Sequence, residues 1–462
     1  MKIKNSAPEN KAREVVEACA DCDCCRPPMD PPCAVFEALY RLWDQEKETG
    51  ESIRANVLRR IVDLCNFCAL CPCPNIRADI IEAKTLFVAR DGLTPGVALI
   101  EDVERLAHAC GIFPRIVNRL LKNGPVGTMI KKGTGIQRQR QLPAFPAESF
   151  DNWAKGRGLG ELPGIRAKRK VAYFAGYTGR FLFPEVPKTA VALLEQLGVV
   201  VHFPEQRCCG MPPLLEGDRP LALKFVRENI NRMAELVADG FEIVCSCPTC
   251  AFLLRTVIPD SGVYSSEYQE WAGGDKDHIL VPVDARDETK GHIKLSRTIY
   301  RNVLKDDGIF ASIDPLARIR VAQQTWDLGE YLFGLHRAGR LAFSDGGQKD
   351  RLVYFAPCHQ REQEIGTPYP ELMRLISGIS LEQIDGQFYC CGMAGIMGFK
   401  KDFYDISVQM GLPLMNKIRE LNPDVIVTDC LSCRLQFDQC LPYPVSHPIE
   451  ILHKFCSPSD PP

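Results

Sequence analysis

The sequence predicts a chain of mixed α+β and α/β class: a helical, cysteine-rich N-terminal part, then two duplicated α/β units with parallel sheets. Three observations predict it. The run Cys-Cys-Gly-Met occurs twice, at 208–211 and 390–393. Each copy is followed by a C-x-x-C pair, Cys247/Cys250 and Cys430/Cys433. Tyr177 and Cys358 lead the two copies, and the three landmarks repeat at offsets of 181, 182 and 183 residues. A nearly constant offset marks an internal duplication.

The totals narrow the function. A chain of 462 residues exceeds one ordinary core and suggests two to four domains. The landmarks divide it into 1–82, 83–168, 169–265, 266–349 and 350–456. The formal net charge of −2 argues against nucleic acid as a partner, because no excess of cations is available to displace counterions from phosphates. The N-terminal stretch lacks the apolar core of a signal peptide, and no run of about 18 apolar residues occurs. A cytoplasmic protein is expected, free or peripheral at the inner face of the membrane. Twenty-two cysteines in a reducing compartment point to metal rather than disulfides. Thiolates select zinc, copper(I) or iron–sulfur clusters.

Nine of those thiols crowd the N-terminal part. Cys19, Cys22 and Cys25 give C-x2-C-x2-C, with Cys33 further on. Residues 65–74, CNFCALCPCP, approach the bacterial ferredoxin run C-x2-C-x2-C-x3-C-P, but one residue separates Cys71 from Cys73. In that run the fourth cysteine ligates the other cluster. The expected sets are therefore Cys19, Cys22, Cys25 and Cys73 for one [4Fe-4S] cluster, and Cys65, Cys68, Cys71 and Cys33 for a second. Cys24 is a spare able to replace Cys25. Two zinc sites are the alternative, disfavoured by the paired triple runs and the C-P ending. Between the runs, residues 35–64 read as two helices broken near Gly50, the second with Leu58, Ile61, Val62 and Leu64 on one face.

Residues 76–135 read as helical, with breaks at Gly92–Pro95 and Gly124–Pro125. Within 112–122, Ile112, Ile116, Val117, Leu120 and Leu121 share a side, flanked by Arg115, Arg119 and Lys122. Such a stripe suits an anionic membrane surface or packing on protein, its own or a partner subunit. Packing is the ordinary reading of a soluble amphipathic helix and is the one expected here. Residues 136–168, rich in Pro, Gly and Arg, read as a linker.

Each copy then shows three β-like runs ending at its landmarks. They are Val171–Phe174, Val199–Phe203 and Ile243–Val244, then Leu352–Phe355, Leu381–Ile384 and Val425–Val427. Helical patterns at 219–239 and 402–420 lie between them. Strand–helix–strand order implies parallel sheets with right-handed crossovers, and the C-terminal strand ends then gather on one rim. All the CCG and C-x-x-C thiols converge there. Gly210 and Gly392 suit close approach of backbone to a bulky cluster.

CCG followed by C-x-x-C, twice, behind a two-cluster ferredoxin segment, resembles the heterodisulfide reductase-like iron–sulfur subunits. CCGMAGIMGFKK (390–401), TDCLSCRLQF (428–437) and HPIEIL (447–452) carry the likeness, which spans most of the chain outside a polar insertion at about 262–320. The resemblance implies that Cys358, Cys390, Cys391, Cys430 and Cys433 form the family's five-cysteine motif, able to hold a noncubane [4Fe-4S] cluster and to act as the reactive centre. The first copy departs from it at Tyr177. Cys208, Cys209, Cys247 and Cys250 remain, enough for zinc or a further cubane cluster, with Cys245 as a substitute fifth thiolate. His359 is read either as a proton donor or as a hydrogen-bond partner of sulfur or backbone, and His447 as a residue at a helix start.

Two functions fit. One is an electron-transfer subunit that takes electrons from a flavin-containing dehydrogenase partner and passes them through the clusters to quinone or another carrier. No G-x-G-x-x-G or G-x4-G-K-[ST] fingerprint occurs, so flavin or nucleotide chemistry falls to a partner. The other is a catalytic disulfide reductase of the heterodisulfide type, weakened by Tyr177.

Overall fold

The computed structural model describes residues 7–22, 25–26, 33–68, 71, 73–163, 169–300, 303–344, 350–384, 386 and 389–458. Cys24 lies outside them, as do residues 164–168 of the linker. Among the described residues, four helices, Pro8–Ala20, Ala34–Thr49, Ala55–Asp63 and Pro74–Asp91, build the N-terminal part. Their apolar faces meet through Val15, Val16, Phe36, Leu39, Ile61, Val62, Ile80 and Phe87. Gly50, at φ 73°, ends the second helix in the left-handed conformation that glycine adopts freely. Cys33 and Cys73 each sit at the N-cap of the following helix, and Pro74 takes the first helical position after Cys73.

Twelve strands follow among the described residues: β1 (Lys170–Phe174), β2 (Val200–His202), β3 (Glu242–Cys245), β4 (His278–Pro282), β5 (His292–Ser296), β6 (Thr325–Asp327), β7 (Leu341–Phe343), β8 (Asp350–Phe355), β9 (Ile379–Ile384), β10 (Val425–Val427), β11 (Val445–Ser446) and β12 (Cys456–Pro458). One sheet has the order β2-β1-β3-β6 and the other β11-β10-β8-β9, parallel throughout. The three strands expected in each copy are present. The fourth of each sheet, β6 and β11, comes from outside the repeat pattern, at two or three residues too short for any periodicity to announce. Helices Arg219–Ala238 and Tyr404–Leu421 cover the outer faces. The inner faces meet each other: Val171, Tyr173 and Val244 share one core with Leu352, Tyr354 and Val427. The polar insertion contributes an antiparallel hairpin, β4–β5.

Residues 95–134 form four helices, Pro95–Glu101, Val103–Gly111, Pro114–Lys122 and Gly124–Thr134. Of the packing expected for the 112–122 stripe, on its own protein or on a partner subunit, the first does not bury it. Helix Pro114–Lys122 has no buried residue, and Ile112 and Ile116 are 68% and 58% exposed. The linker is less free than its composition suggests. Arg140 is buried at 1% exposure and donates to Gly398 O at 2.7 Å and Gln436 Oε1 at 2.7 Å. No helix of the described residues is long and apolar enough to cross a membrane.

Candidate metal-cluster site

The two repeats deliver their thiols by the same local devices. β3 and β10 each end just before a C-x-x-C pair, whose first cysteine is the N-cap of a short helix: Cys247 before Pro248–Phe252, and Cys430 before Leu431–Cys440. A helix N-terminus favours negative charge and so favours thiolate. The CCG glycines are obligatory for a different reason from the one the sequence suggests. Gly210 and Gly392 have φ 101° and 83°, and the atoms nearest a Cβ belong to the covering helix. At Gly392 a Cβ would stand 2.0 Å from Ser407 O; at Gly210 it would stand 3.0 Å from a Val226 methyl group. The glycine lets the covering helix close on the motif.

The inner thiols open on one cavity of about 130 Å³. Cys358, Cys390, Cys391, Cys430 and Cys433 line it from the second repeat; Tyr177, Cys209, Cys247 and Cys250 line it from the first; Cys33, Cys65, Cys68 and Cys71 line it from the N-terminal part. Cys391 Sγ and Cys433 Sγ lie 3.0 Å apart, and Gly392 N–H donates to Cys390 Sγ at 3.2 Å. Cys208 is buried next to Cys209. Cys245, the suggested fifth thiolate of the first copy, does not line the cavity; it is buried at the end of β3, close to Asp327.

Electrostatics repeat with the frame. Hydrogen bonds from Cys208 and then Cys250 hold the Cys209 thiol well below its ordinary pKa, and those from Cys390 and then Cys433 do the same for Cys391. Cys430 is lowered chiefly by a bond from Cys433. Burial, with Cys391 and Cys430 nearby, pushes Cys358 up to about 12. Burial raises Tyr177, and the neighbouring Cys208 raises it further. In the N-terminal part, burial pushes Cys19 up to about 12, reinforced by the charges of Cys71, Cys25, Cys73 and Cys22. Burial raises Cys33, whose charged neighbours are Cys68 and Cys65. The inner thiols thus gather around a cavity rather than a point. Among the described residues, no three Cys, His, Asp or Glu side chains converge on a single ion. This donor set, thiolate-rich and spread round a shared space, fits multi-iron clusters.

His359 is not placed as a proton donor. Burial lowers its pKa, and both ring nitrogens are engaged, Nδ1 at 2.9 Å from Thr249 Oγ1 and Nε2 at 2.9 Å from Phe67 O. His447 caps helix Pro448–Phe455 in a capping box with Glu450. Other supports escape sequence reasoning. Glu104 accepts from Cys208 N–H at 2.5 Å and pairs with Arg180 at 3.0 Å, which also pairs with Asp151. Buried Lys84 donates to Cys65 O at 2.7 Å and Leu215 O at 2.8 Å, tying the N-terminal part to the first repeat. Single charged residues on helices carry no spacing signal by which they could be found.

Comparison with known proteins gives the same frame. The family model for the CCG cysteine-rich domain matches residues 171–255 and 352–438. The chain is similar to a subunit of the anaerobic glycerol-3-phosphate dehydrogenase of Escherichia coli (strain K12), 26% identical over 343 residues, 74% of this chain and 72% of that one. It is also similar to lactate utilization protein A of Exiguobacterium sp. (24% over 287 residues, 61% and 94%) and to a subunit of the fumarate reductase (CoM/CoB) of Methanothermobacter marburgensis (23% over 310 residues, 65% and 48%).

Proposed function

From a chain that carries two CCG cysteine-rich domains of the heterodisulfide reductase-like kind, we propose an iron–sulfur electron-transfer subunit of an anaerobic respiratory or dehydrogenase complex. The observation that carries this reading is the shared cavity, onto which, among the described residues, only one N-terminal thiol set opens. Cys33, Cys65, Cys68 and Cys71 form the inner set. Cys19, Cys22, Cys25 and Cys73 form the outer one, where electrons enter from a flavin-containing dehydrogenase or another redox subunit. The clusters, when bound, supply one-electron carriers. The chain's own residues hold them in sequence: outer set, inner set, then Cys358, Cys390, Cys391, Cys430 and Cys433, from which a quinone or another carrier is reduced. Cys208, Cys209, Cys247 and Cys250 hold zinc or a further cluster beside that path. The division at 82, 168, 265 and 349 follows the same logic: a two-cluster domain, a helical connector, a CCG domain, an insertion and a second CCG domain.

The disulfide-reductase reading is less well supported. Tyr177 removes one thiol of the pair of five-cysteine motifs, and His359, with both nitrogens engaged, offers no proton to a leaving thiolate.

The exposed helix Pro114–Lys122 supports a peripheral place in the cell. Residues 105–147 contain no Asp or Glu, and Arg115, Arg119 and Lys122 flank the bare apolar side. That combination fits a cytoplasmic protein resting on an anionic membrane face or on a partner subunit.

Iron, sulfide and zinc content with low-temperature EPR of anaerobically purified protein tests the reading. About 12 iron per chain, the sum of three four-iron clusters, supports the relay. About eight iron would leave only the N-terminal sets redox-active and overturn it.

A further inference from the structure

One side chain joins the loops that carry all three groups of inner thiols. His359 directly follows Cys358 of the second repeat. Its Nδ1 lies 2.9 Å from the hydroxyl of Thr249, a residue between Cys247 and Cys250. Its Nε2 lies 2.9 Å from the carbonyl of Phe67, between Cys65 and Cys68. The carbonyl can only accept, so Nε2 carries the proton and Nδ1 accepts from the Thr249 hydroxyl. The ring is buried and stacks on Phe252, with centroids 4.9 Å apart and planes 19° from parallel. Phe252 in turn meets Phe67 at 6.3 Å.

Phe67 adds an independent sign. Its φ is 55°, a left-handed conformation in which a bulky side chain is an outlier. Such strain persists only where the surroundings over-determine it. Here the surroundings are the residues around His359. Arg77 donates to Cys68 O at 3.3 Å and pairs with Glu362 at 2.7 Å. Gln363 donates to Pro248 O at 3.3 Å and to His359 O at 3.1 Å. The turn 358–363 therefore grips both C-x-x-C loops.

We infer that His359 is a positioning residue that fixes the inner N-terminal loop and both CCG motifs relative to one another, setting the separation and coupling of the groups those thiols hold. The inference rests on the relay reading above. It assigns His359 neither a ligand role nor a proton. A neutral imidazole suits this role, because it donates and accepts in opposite directions within one rigid plane, and its flat face locks against Phe252. Electron transfer falls steeply with separation, so a small relative shift of two loops is felt in rate while each loop keeps its own thiols.

The test uses the full chain, loaded anaerobically, with His359→Leu, His359→Gln and Thr249→Val. Leu fills the space without either hydrogen bond, whereas Gln can donate to Phe67 O and accept from Thr249. The readouts are iron content, the spin–spin interaction in EPR between the inner N-terminal centre and the second CCG centre, and the freeze-quenched rate of electron passage between them. The expected result for His359→Leu is native iron content, a weakened interaction and passage slowed by about tenfold or more, the scale of loss when a reacting group is misplaced by a fraction of an ångström to an ångström. His359→Gln recovers part of both, and Thr249→Val gives an intermediate loss. Native interaction and rate in His359→Leu overturn the inference. Should that variant not fold, native interaction and rate in Thr249→Val, which loses the bond to Nδ1, overturn it equally. A wild-type protein with iron in the N-terminal sets alone would instead sink the relay reading. In that case the role of His359 fails only if the reduction potential of the inner centre is unchanged in His359→Leu.

Discussion

The two CCG repeats differ little in frame and much in their leading residue. Both end a parallel strand at a C-x-x-C helix start, both use a left-handed glycine to admit a covering helix, and both pair a lowered second cysteine, Cys209 or Cys391, with raised neighbours. The first repeat places Tyr177 where the second places Cys358, and both side chains line the same cavity. Scaffold geometry and ligand identity are thus separable. The cradle is set by backbone and packing, and one side chain decides how many thiols the cradle offers.

Breaking each cradle in turn gives the largest expected difference. Cys391→Ser abolishes electron delivery to the acceptor and removes the second-repeat EPR signal, with the N-terminal signals intact. Cys209→Ser removes metal from the first repeat, read as zinc or iron loss, and leaves the second-repeat signal in place. Turnover with the native partner after Cys391→Ser would invalidate the proposed terminus of the relay.

The glycines separate the repeats by stability. Gly392→Ala drives a Cβ to 2.0 Å from Ser407 O in addition to the left-handed strain, whereas Gly210→Ala meets a Val226 methyl group at 3.0 Å and Ala222 O at 3.3 Å. Thermal melts of the anaerobic protein are expected to show a loss of about 3 kcal/mol or more at 392 and about 1–2 kcal/mol at 210.

Tyr177→Cys sharpens the comparison from the other side. It restores a five-thiol set in the first repeat, and a second EPR signal like that of the Cys358 motif is expected. An unchanged spectrum and metal content would show that more than the leading residue distinguishes the repeats.

The contact between repeats has its own pH signature. His447 of the second repeat is buried against Ser246 O of the first at 3.3 Å, and burial lowers its pKa to about 3. The unfolded chain, with an imidazole pKa near 6.5, binds the proton more readily. His447 therefore contributes stability that is fully present above about pH 6.5 and is lost as the pH falls toward 3, by about 2 kcal/mol at about pH 5. His447→Asn retains the helix cap and is expected to flatten this part of the pH–stability curve.

The smallest effect lies at the surface. Arg119→Gln is expected to weaken binding to anionic vesicles about fivefold, at roughly 1 kcal/mol for the one cation removed, with metal content unchanged. Binding that persists would assign the bare helix to a protein partner.

The duplication, the parallel strands and the thiols are legible in the sequence because each leaves a periodic or spaced trace. The helix break at Gly50 and the cap at His447 are equally readable, since both depend on local backbone chemistry. What escapes depends on distant contacts. β6 and β11 are strands only because β3 and β10 offer them an edge. Gly392 is fixed by Ser407 and Gly411, on a helix that the motif itself does not reveal. The 112–122 stripe leaves its cover open because amphipathicity states that a face needs cover, not what covers it.

The shared core of the two sheets carries a consequence for descent. Val171 and Tyr173 of one copy pack with Leu352 and Tyr354 of the other, so neither half keeps its interior when the other is removed. A duplicated gene ordinarily leaves one copy free to decay. Here the first copy carries Tyr177 where its sister carries Cys358, and its core still forms the wall against which the sister packs.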